Sequence, residues 1–447
     1  MLRAFTRKMI ARTLTDQKKL EVRRARREKI RSLFSRPHRV DFYFRMDDPY
    51  AYLLAQVLPR LKEHFEIELK CWLTPPPSKE AIRDREQWLA FAIRDAADLA
   101  AARGLDFPEN PVIPDDLTLR RAVSLPGSFD DADPFLQAAI ETSGAMWKDD
   151  WETLEGLLTK GPRANVLWQR SRTQDPAKKG HYASGTLYYN GEWYWGIDRL
   201  RFLCERLEAL GLGKPGAADA VWNPEPVAQS KPLGDKQLPP LECYLSFRSP
   251  YTYLALDRLA DLARRTGVAL VLKPVLPMVT RGVPLPLAKM LYIIRDAGRV
   301  AHSLGLAFGN LRDPLGKGVN RCLAVFVQAQ EQGKGFDWFR SAMTGIWAEG
   351  VDTASDKGLR RLVERAGLQW EGVKPHLAKG DFEAMTQQNG AELEALGLWG
   401  VPSFRFGSYS TWGQDRLDLV EAQIARATAS DEAENAQPES APAGEEA

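Results

Sequence analysis

The stretch "LECYLSFRSPYTYLALDRLADLARRTG", Leu241 to Gly267, decides the fold. It opens on a short apolar run, and from Pro250 onward its apolar residues recur at helical spacing as far as Gly267. A serine followed by a proline suits the cap and first residue of a helix, and a glycine suits the left-handed position that ends one. The stretch therefore predicts a strand handed directly to a helix. "VALVLKPVL", which follows, is rich in β-branched residues and reads as a second strand. Residues 286 to 380 are largely helical in pattern, and "VPSFRFGSYSTWG" from Val401 reads as strand, turn and strand before a last helix from Asp415.

An altered copy of the same phrase stands earlier. "YFRMDDPYAYLLAQVLPRL" from Tyr43 aligns with "YLSFRSPYTYLALDRLADL" from Tyr244, placing Pro49 on Pro250 at an offset of 201. The offset persists where Arg94, Asp95 and Ala96 meet Arg295, Asp296 and Ala297, and where Gly104 meets Gly305. "WYWGIDRLRFLCERL" from Trp193 matches "STWGQDRLDLVEAQI" from Ser410 at an offset that has grown to 217. The expectation is a tandem duplication, with modules at 38–210 and 239–427. Residues 211–238, rich in Pro, Gly and Ala, read as a linker, and the acidic tail 428–447 as disordered. The βαβ start, helical insertion and ββα finish make each module an α/β, thioredoxin-like sheet interrupted by helices.

Composition narrows the function classes. A net charge of +2 over 447 residues gives no general field for nucleic acid, so no nucleic-acid partner is expected. Basic character is local: residues 1–36 hold thirteen Lys and Arg against three acids, and 1–37 read as a basic, mostly solvated helical extension. No window reaches the about 20 apolar residues of a membrane span. The four cysteines, Cys71, Cys204, Cys243 and Cys322, form no CxxC pair, and the five histidines show no metal spacing. Structural thiols in a reducing, cytoplasmic setting are expected, and no metal.

Five pieces in order, "SFRSPYTYLA", "PLAKMLYIIRDAGRVAHSLGL", "IWAEGVD", "GVPSF" and "WGQDRLDLVE", resemble the 2-hydroxychromene-2-carboxylate isomerases. That family lies in the DsbA-like branch of the thioredoxin superfamily and is similar to kappa-class glutathione transferases. The resemblance implies glutathione as cofactor and a small conjugated aromatic acid as substrate. Ser249, at a helix start, would donate to the glutathione thiolate, though the same residue also reads as a plain N-cap. Pro402 would be the cis proline of the fold, with the Val401 backbone pairing to the cysteinyl part; an ordinary strand-start proline is the alternative. Gln414 and Asp415 would hold the γ-glutamyl end.

On the inserted helix Lys289, Tyr292, Asp296 and Arg299 share one face by spacing. Lys289, the catalytic candidate, and Arg299 would hold the substrate carboxylate or the carboxylates of glutathione, as the family's lysine and arginine at this spacing imply, while Tyr292 offers a hydroxyl and Tyr251 and Asn320 join them in substrate binding; a solvated face with internal ion pairs is the alternative. The first module departs from this pattern. Asp48 replaces Ser249, Trp88 stands against Lys289, Asp98 against Arg299 and Gly185 against Pro402. One working site per chain is expected, with the first module packing on the second as an internal pseudo-dimer and further dimerisation open. The function implied is isomerisation by reversible thiolate addition. A kappa-like transferase and a non-catalytic binding or scaffold protein are the alternatives, and a disulfide oxidoreductase is disfavoured by the missing CxxC.

Overall fold

The computed structural model describes residues 11–82, 84–162, 173–222, 238–283 and 285–435. The chain divides into two compact units. The first takes Met1–Glu225 and Met278–Leu311, the second Pro226–Pro277 and Arg312–Ala447.

Counting helices of six residues or more, the first unit opens with α1 (Gln17–Leu33), β1 (Arg39–Phe44), α2 (Pro49–His64) and β2 (Glu68–Leu73). An insertion follows, made of α3 (Arg85–Ala101), α4 (Asp116–Ala122), α5 (Ala132–Trp147) and α6 (Trp151–Lys160). The hairpin β3 (Thr186–Tyr189) and β4 (Glu192–Trp195), then α7 (Leu200–Ala209) and α8 (Ala217–Trp222), complete this part of the chain. β1 is parallel to β2 and antiparallel to β3, and β3 is antiparallel to β4, in the order β2-β1-β3-β4. As the central strand, β1 is buried on both faces. Val40, Phe42 and Phe44 point into the main core, while Tyr43 points to a second cluster with Trp193 and Tyr292. Burial on two sides explains why it reads as a nearly continuous apolar run.

The second unit repeats the plan with β5 (Leu241–Leu245), α9 (Pro250–Thr266) and β6 (Leu270–Pro274). After α10 (Leu287–Ser303), which belongs to the first unit, come α11 (Lys317–Glu331), α12 (Gly335–Thr344), α13 (Asp356–Arg365) and α14 (Glu383–Ala395). β7 (Ser403–Phe406), β8 (Tyr409–Trp412) and α15 (Leu417–Asn435) close the unit. Its sheet order, β6-β5-β7-β8, and its strand directions match those of the first. Ser249 caps α9, Pro250 is its first residue, and Gly267 ends it at φ 80°. Phe247, stacked on Phe339 at 4.2 Å, ties the strand–helix corner to the insertion.

Three boundaries differ from the sequence expectation. The segment 278–311 lies with the first unit, because α10 finds its polar partners there. Residues 211–222 are not linker: Ala217, Ala218 and Val221 are buried, and the Gly216 and Ala218 N–H groups donate to the Glu208 carboxylate at 2.9 and 3.0 Å. Residues 223–237 lie outside the described residues. The tail is helical to Asn435, in a helix whose Leu417, Val420 and Ile424 are buried; residues 436–447 are not among those described. The basic extension is also attached rather than merely solvated. Arg24 donates two 2.7 Å bonds to Glu192, and Glu28 accepts from Tyr189 at 3.1 Å and Asn190 at 2.6 Å. Residues 1–10 lie outside the described residues. No described helix is long and apolar enough to cross a membrane.

Candidate active site

In the second unit, three chain segments meet where β5 gives way to α9. The Ser249 Oγ accepts from the Thr252 N–H at 3.2 Å, capping the helix, and donates to the Val401 carbonyl at 3.0 Å. The Val401–Pro402 peptide is cis. The Gly413 N–H donates to the Pro402 carbonyl at 2.9 Å, bringing the start of the last helix beside the proline. There Gln414 is held by Arg258, which donates to its backbone carbonyl at 2.8 Å and its side-chain oxygen at 3.1 Å. The Gln414 amide nitrogen in turn donates to Asp415.

Ser249, Val401, Pro402, Gln414 and Asp415 are thus joined in one hydrogen-bonded corner. The cap reading and the ligand reading of Ser249 meet in the same oxygen. Its proton is committed to Val401, so a thiolate placed here would have to take over that bond. Tyr251 is the second residue of α9, half-buried, and Asn320 is exposed in the first turn of α11.

Arg258 was not singled out from the sequence, since its contact to Gln414 spans 156 residues and leaves no local signature. Arg248, bonded to Asp313 at 2.8 and 3.2 Å, was missed for the same reason. All four cysteines are buried and outside any disulfide. Burial pushes the Cys204 and Cys322 thiols up to about 12, and Cys243 upward as well, so none of these three is poised as a thiolate. Among the described residues no group of three or more His, Cys, Asp or Glu could hold a metal.

The structure does not bring Lys289, Tyr292 and Arg299 into this unit, and here the sequence expectation is corrected. All three project from α10 into the first unit. Asp296 is 1 % exposed and takes a two-bond contact from Arg199 at 2.7 and 2.8 Å. Arg299 donates to the Trp193 carbonyl at 3.0 Å and lies 4.4 Å from the Tyr194 ring, with Glu192 at 3.5 Å. Tyr292 packs in the cluster of Tyr43 and Trp193. Lys289 donates to the Ala81 carbonyl at 3.2 Å. The shared helix face inferred from spacing is present, but it is buried against module-one residues, which spacing alone cannot specify.

The first unit offers a direct comparison. Asp48 caps α2 by accepting from the Tyr50 N–H at 3.0 Å, and the Ser184 hydroxyl donates to its other oxygen at 2.5 Å. The Gly196 N–H donates to the Gly185 carbonyl at 2.8 Å, the same bond that Gly413 makes to Pro402, so the alignment of Gly185 with Pro402 holds in three dimensions. A Cβ at Gly185, whose φ is 62°, would lie 3.0 Å from the Ala51 nitrogen. Module one has therefore closed this corner with glycine and a buried carboxylate.

Residues 240–425 match the model of the DSBA-like thioredoxin domain. The chain is 26 % identical over 200 residues to 2-hydroxychromene-2-carboxylate isomerase of Sphingobium xenophagum, covering 41 % of this chain and 97 % of that one. Among solved structures, 2-hydroxychromene-2-carboxylate isomerase superposes with a TM-score of 0.38 at 20 % identity, covering 44 % of this chain and 99 % of that one. The cytosolic disulfide reductase DsbM of Pseudomonas aeruginosa gives 0.31 at 17 %, covering 44 % and 98 %. Over residues 240–425 the chain thus matches a DSBA-like thioredoxin domain, and it is similar there to a 2-hydroxychromene-2-carboxylate isomerase.

Proposed function

We propose that the second unit binds glutathione and uses it to isomerise a conjugated aromatic acid. The observation that carries this reading is the corner joining Ser249 to Val401, with cis Pro402 bonded onward to the Gln414–Asp415 step, in a domain whose strand–helix junction carries serine and no cysteine. Its parts fit the tripeptide: the Val401 backbone beside the cis proline can pair with a peptide, and the Asp415 carboxylate can face an ammonium group.

When bound, glutathione supplies the thiolate that adds reversibly to the double bond of the acid. The chain's own residues hold and orient. Ser249 moves its hydroxyl proton from the Val401 carbonyl to the sulfur, a charge-assisted bond stronger than the neutral one it replaces. The first turn of α9 adds the partial positive charge of a helix start, which favours an anion. Arg258 positions Gln414 from α9, so the two ends of the peptide site share one helix.

Titration calorimetry with glutathione tests the reading. The intact protein is expected to bind one equivalent, and Ser249→Ala to bind at least tenfold more weakly. Catalytic glutathione should then support isomerisation of 2-hydroxychromene-2-carboxylate without being consumed. An intact protein that gives no binding heat sinks the proposal.

A further inference from the structure

The basic helix α1 turns one long face to the hairpin of the first sheet and the other to solvent. Arg24, Glu28 and Arg31 are spaced four and three apart and form the inner stripe. Arg24 meets Glu192, and Glu28 takes donors from Tyr189, Asn190 and Arg31. Lys18, Val22, Arg26, Lys29 and Leu33 form the outer stripe, with Lys19 and Ile30 along its edge, and each of them is exposed. Just past the helix end Phe34 and Arg36 are exposed as well, the guanidinium 5.1 Å from the ring.

The positive charge of the outer stripe has no counter-charge beside it. The three acids of residues 1–36 are engaged elsewhere. Asp16 caps the helix by accepting from the Lys19 N–H at 3.0 Å, Glu21, whose charge reaches Arg24, accepts from Gln17 at 3.1 Å, and Glu28 faces the hairpin. Among the described residues no carboxylate pairs with Lys18, Lys19, Arg26 or Lys29. Apolar side chains stand among these cations: Val22 is 68 % exposed, Leu33 77 % and Phe34 61 %. Lys18, Lys19, Val22 and Arg23 border an open concavity on this side of the helix. Cations alone would suit any polyanion, but a nucleic-acid backbone gives aliphatic side chains nothing to bury against. A bilayer interface offers both, with anionic headgroups at the level of the charges and acyl chains just beneath.

We propose that the outer stripe of α1 is a docking surface for an anionic lipid bilayer. Its cations meet the headgroups, Val22, Ile30, Leu33 and Phe34 enter the interface, and the helix lies along the membrane without crossing it. The inner contact of Arg24 with Glu192 ties the docked helix to the first sheet. The surface lies in the first unit, and the proposal does not rest on glutathione binding.

The test is co-sedimentation of the full chain with lipid vesicles at low and high salt. Vesicles of phosphatidylcholine and phosphatidylglycerol in equal parts should bind it at least tenfold more tightly than pure phosphatidylcholine, and salt should weaken the binding. The double variant Arg26→Gln with Lys29→Gln should bind at least fivefold more weakly. Val22→Gln with Leu33→Gln keeps every charge and should still bind at least threefold more weakly, which separates insertion from charge alone. All four substitutions put a good helix former at an exposed position, and thermal unfolding checks that both variants are folded. The proposal is overturned by an absence of vesicle binding, by equal binding to the two compositions, by unchanged affinity in either double variant, or by an RNA oligonucleotide binding more tightly than the mixed vesicles.

Discussion

Ser249 and Asp48 occupy the same place in two copies of one corner and treat it differently. Both cap a helix, and each then bonds to the loop before the third strand of its sheet, Ser249 to a carbonyl and Asp48 to a hydroxyl. Ser249→Ala removes the cap and is expected to cost about 1 kcal/mol in urea unfolding, while Ser249→Thr keeps most of it. Burial raises the Asp48 carboxyl above its ordinary range, against the charge of Arg45 and the Ser184 bond. A carboxyl with a raised folded pKa contributes stability at low pH that is lost as pH rises through that pKa. Asp48→Asn, which cannot ionise, should therefore melt higher than the parent at pH 8 and nearly level with it at pH 4, as calorimetric scans would show.

Among the elements, α10 is the one whose membership the two-module pattern misassigns. It follows β6 in the chain, yet Asp296 and Arg299 pair with Arg199 and Glu192 in the first unit. Removing one partner of a buried ion pair leaves a charge stranded, so Asp296→Ala should cost roughly 3–5 kcal/mol, and adding Arg199→Ala should recover part of it. Thermal unfolding of the single and double variants measures this. α1 has a comparable anchor in Arg24 and Glu192. Burial works against the Glu192 carboxylate, but Arg24, Arg206 and Arg299 outweigh it and hold it at about 2. Arg24→Ala is expected to cost about 1–2 kcal/mol, since two charged hydrogen bonds go while two other cations stay; a loss below about 0.3 kcal/mol in denaturant titration would show α1 to be a passive appendage.

For the whole molecule the prediction is stoichiometric. Two sheets of the same order predict two equivalents of glutathione if both corners work, and one if the first is closed. Calorimetry on the intact chain should give one, unchanged by Asp48→Ser alone. Gly185, at φ 62° and with the Ala51 nitrogen 3.0 Å from where a Cβ would lie, leaves no room for a proline ring in its present backbone, so a serine at position 48 would lack the cis-proline loop that Ser249 meets. Two equivalents in the parent chain would refute the closure of the first corner. Expression of residues 238–447 by themselves should give a poorly folded product, because Tyr292, Asp296 and Arg299 would lose Trp193, Arg199 and Glu192; recovery when residues 1–222 are co-expressed would show that α10 needs them.

The sequence by itself determined the local steps and their order. Ser-Pro before a helical period, glycine at its end and the recurrence of Pro49 at Pro250 are carried by neighbours in the chain, and the strand–helix junctions and both sheets followed from them, whereas the grouping of Ser249 with Pro402 and Asp415 came from the family resemblance. Spacing also placed Tyr292, Asp296 and Arg299 on one face of one helix. Only the tertiary structure decided what that face meets. A buried Asp takes whichever guanidinium the fold brings to it, and the choice of Arg199, 97 residues away, leaves no trace in local pattern. The same holds for Arg258 under Gln414, and for Tyr43, Trp193 and Tyr292, which share a cluster only because the first unit accepts a helix from the second half of the chain.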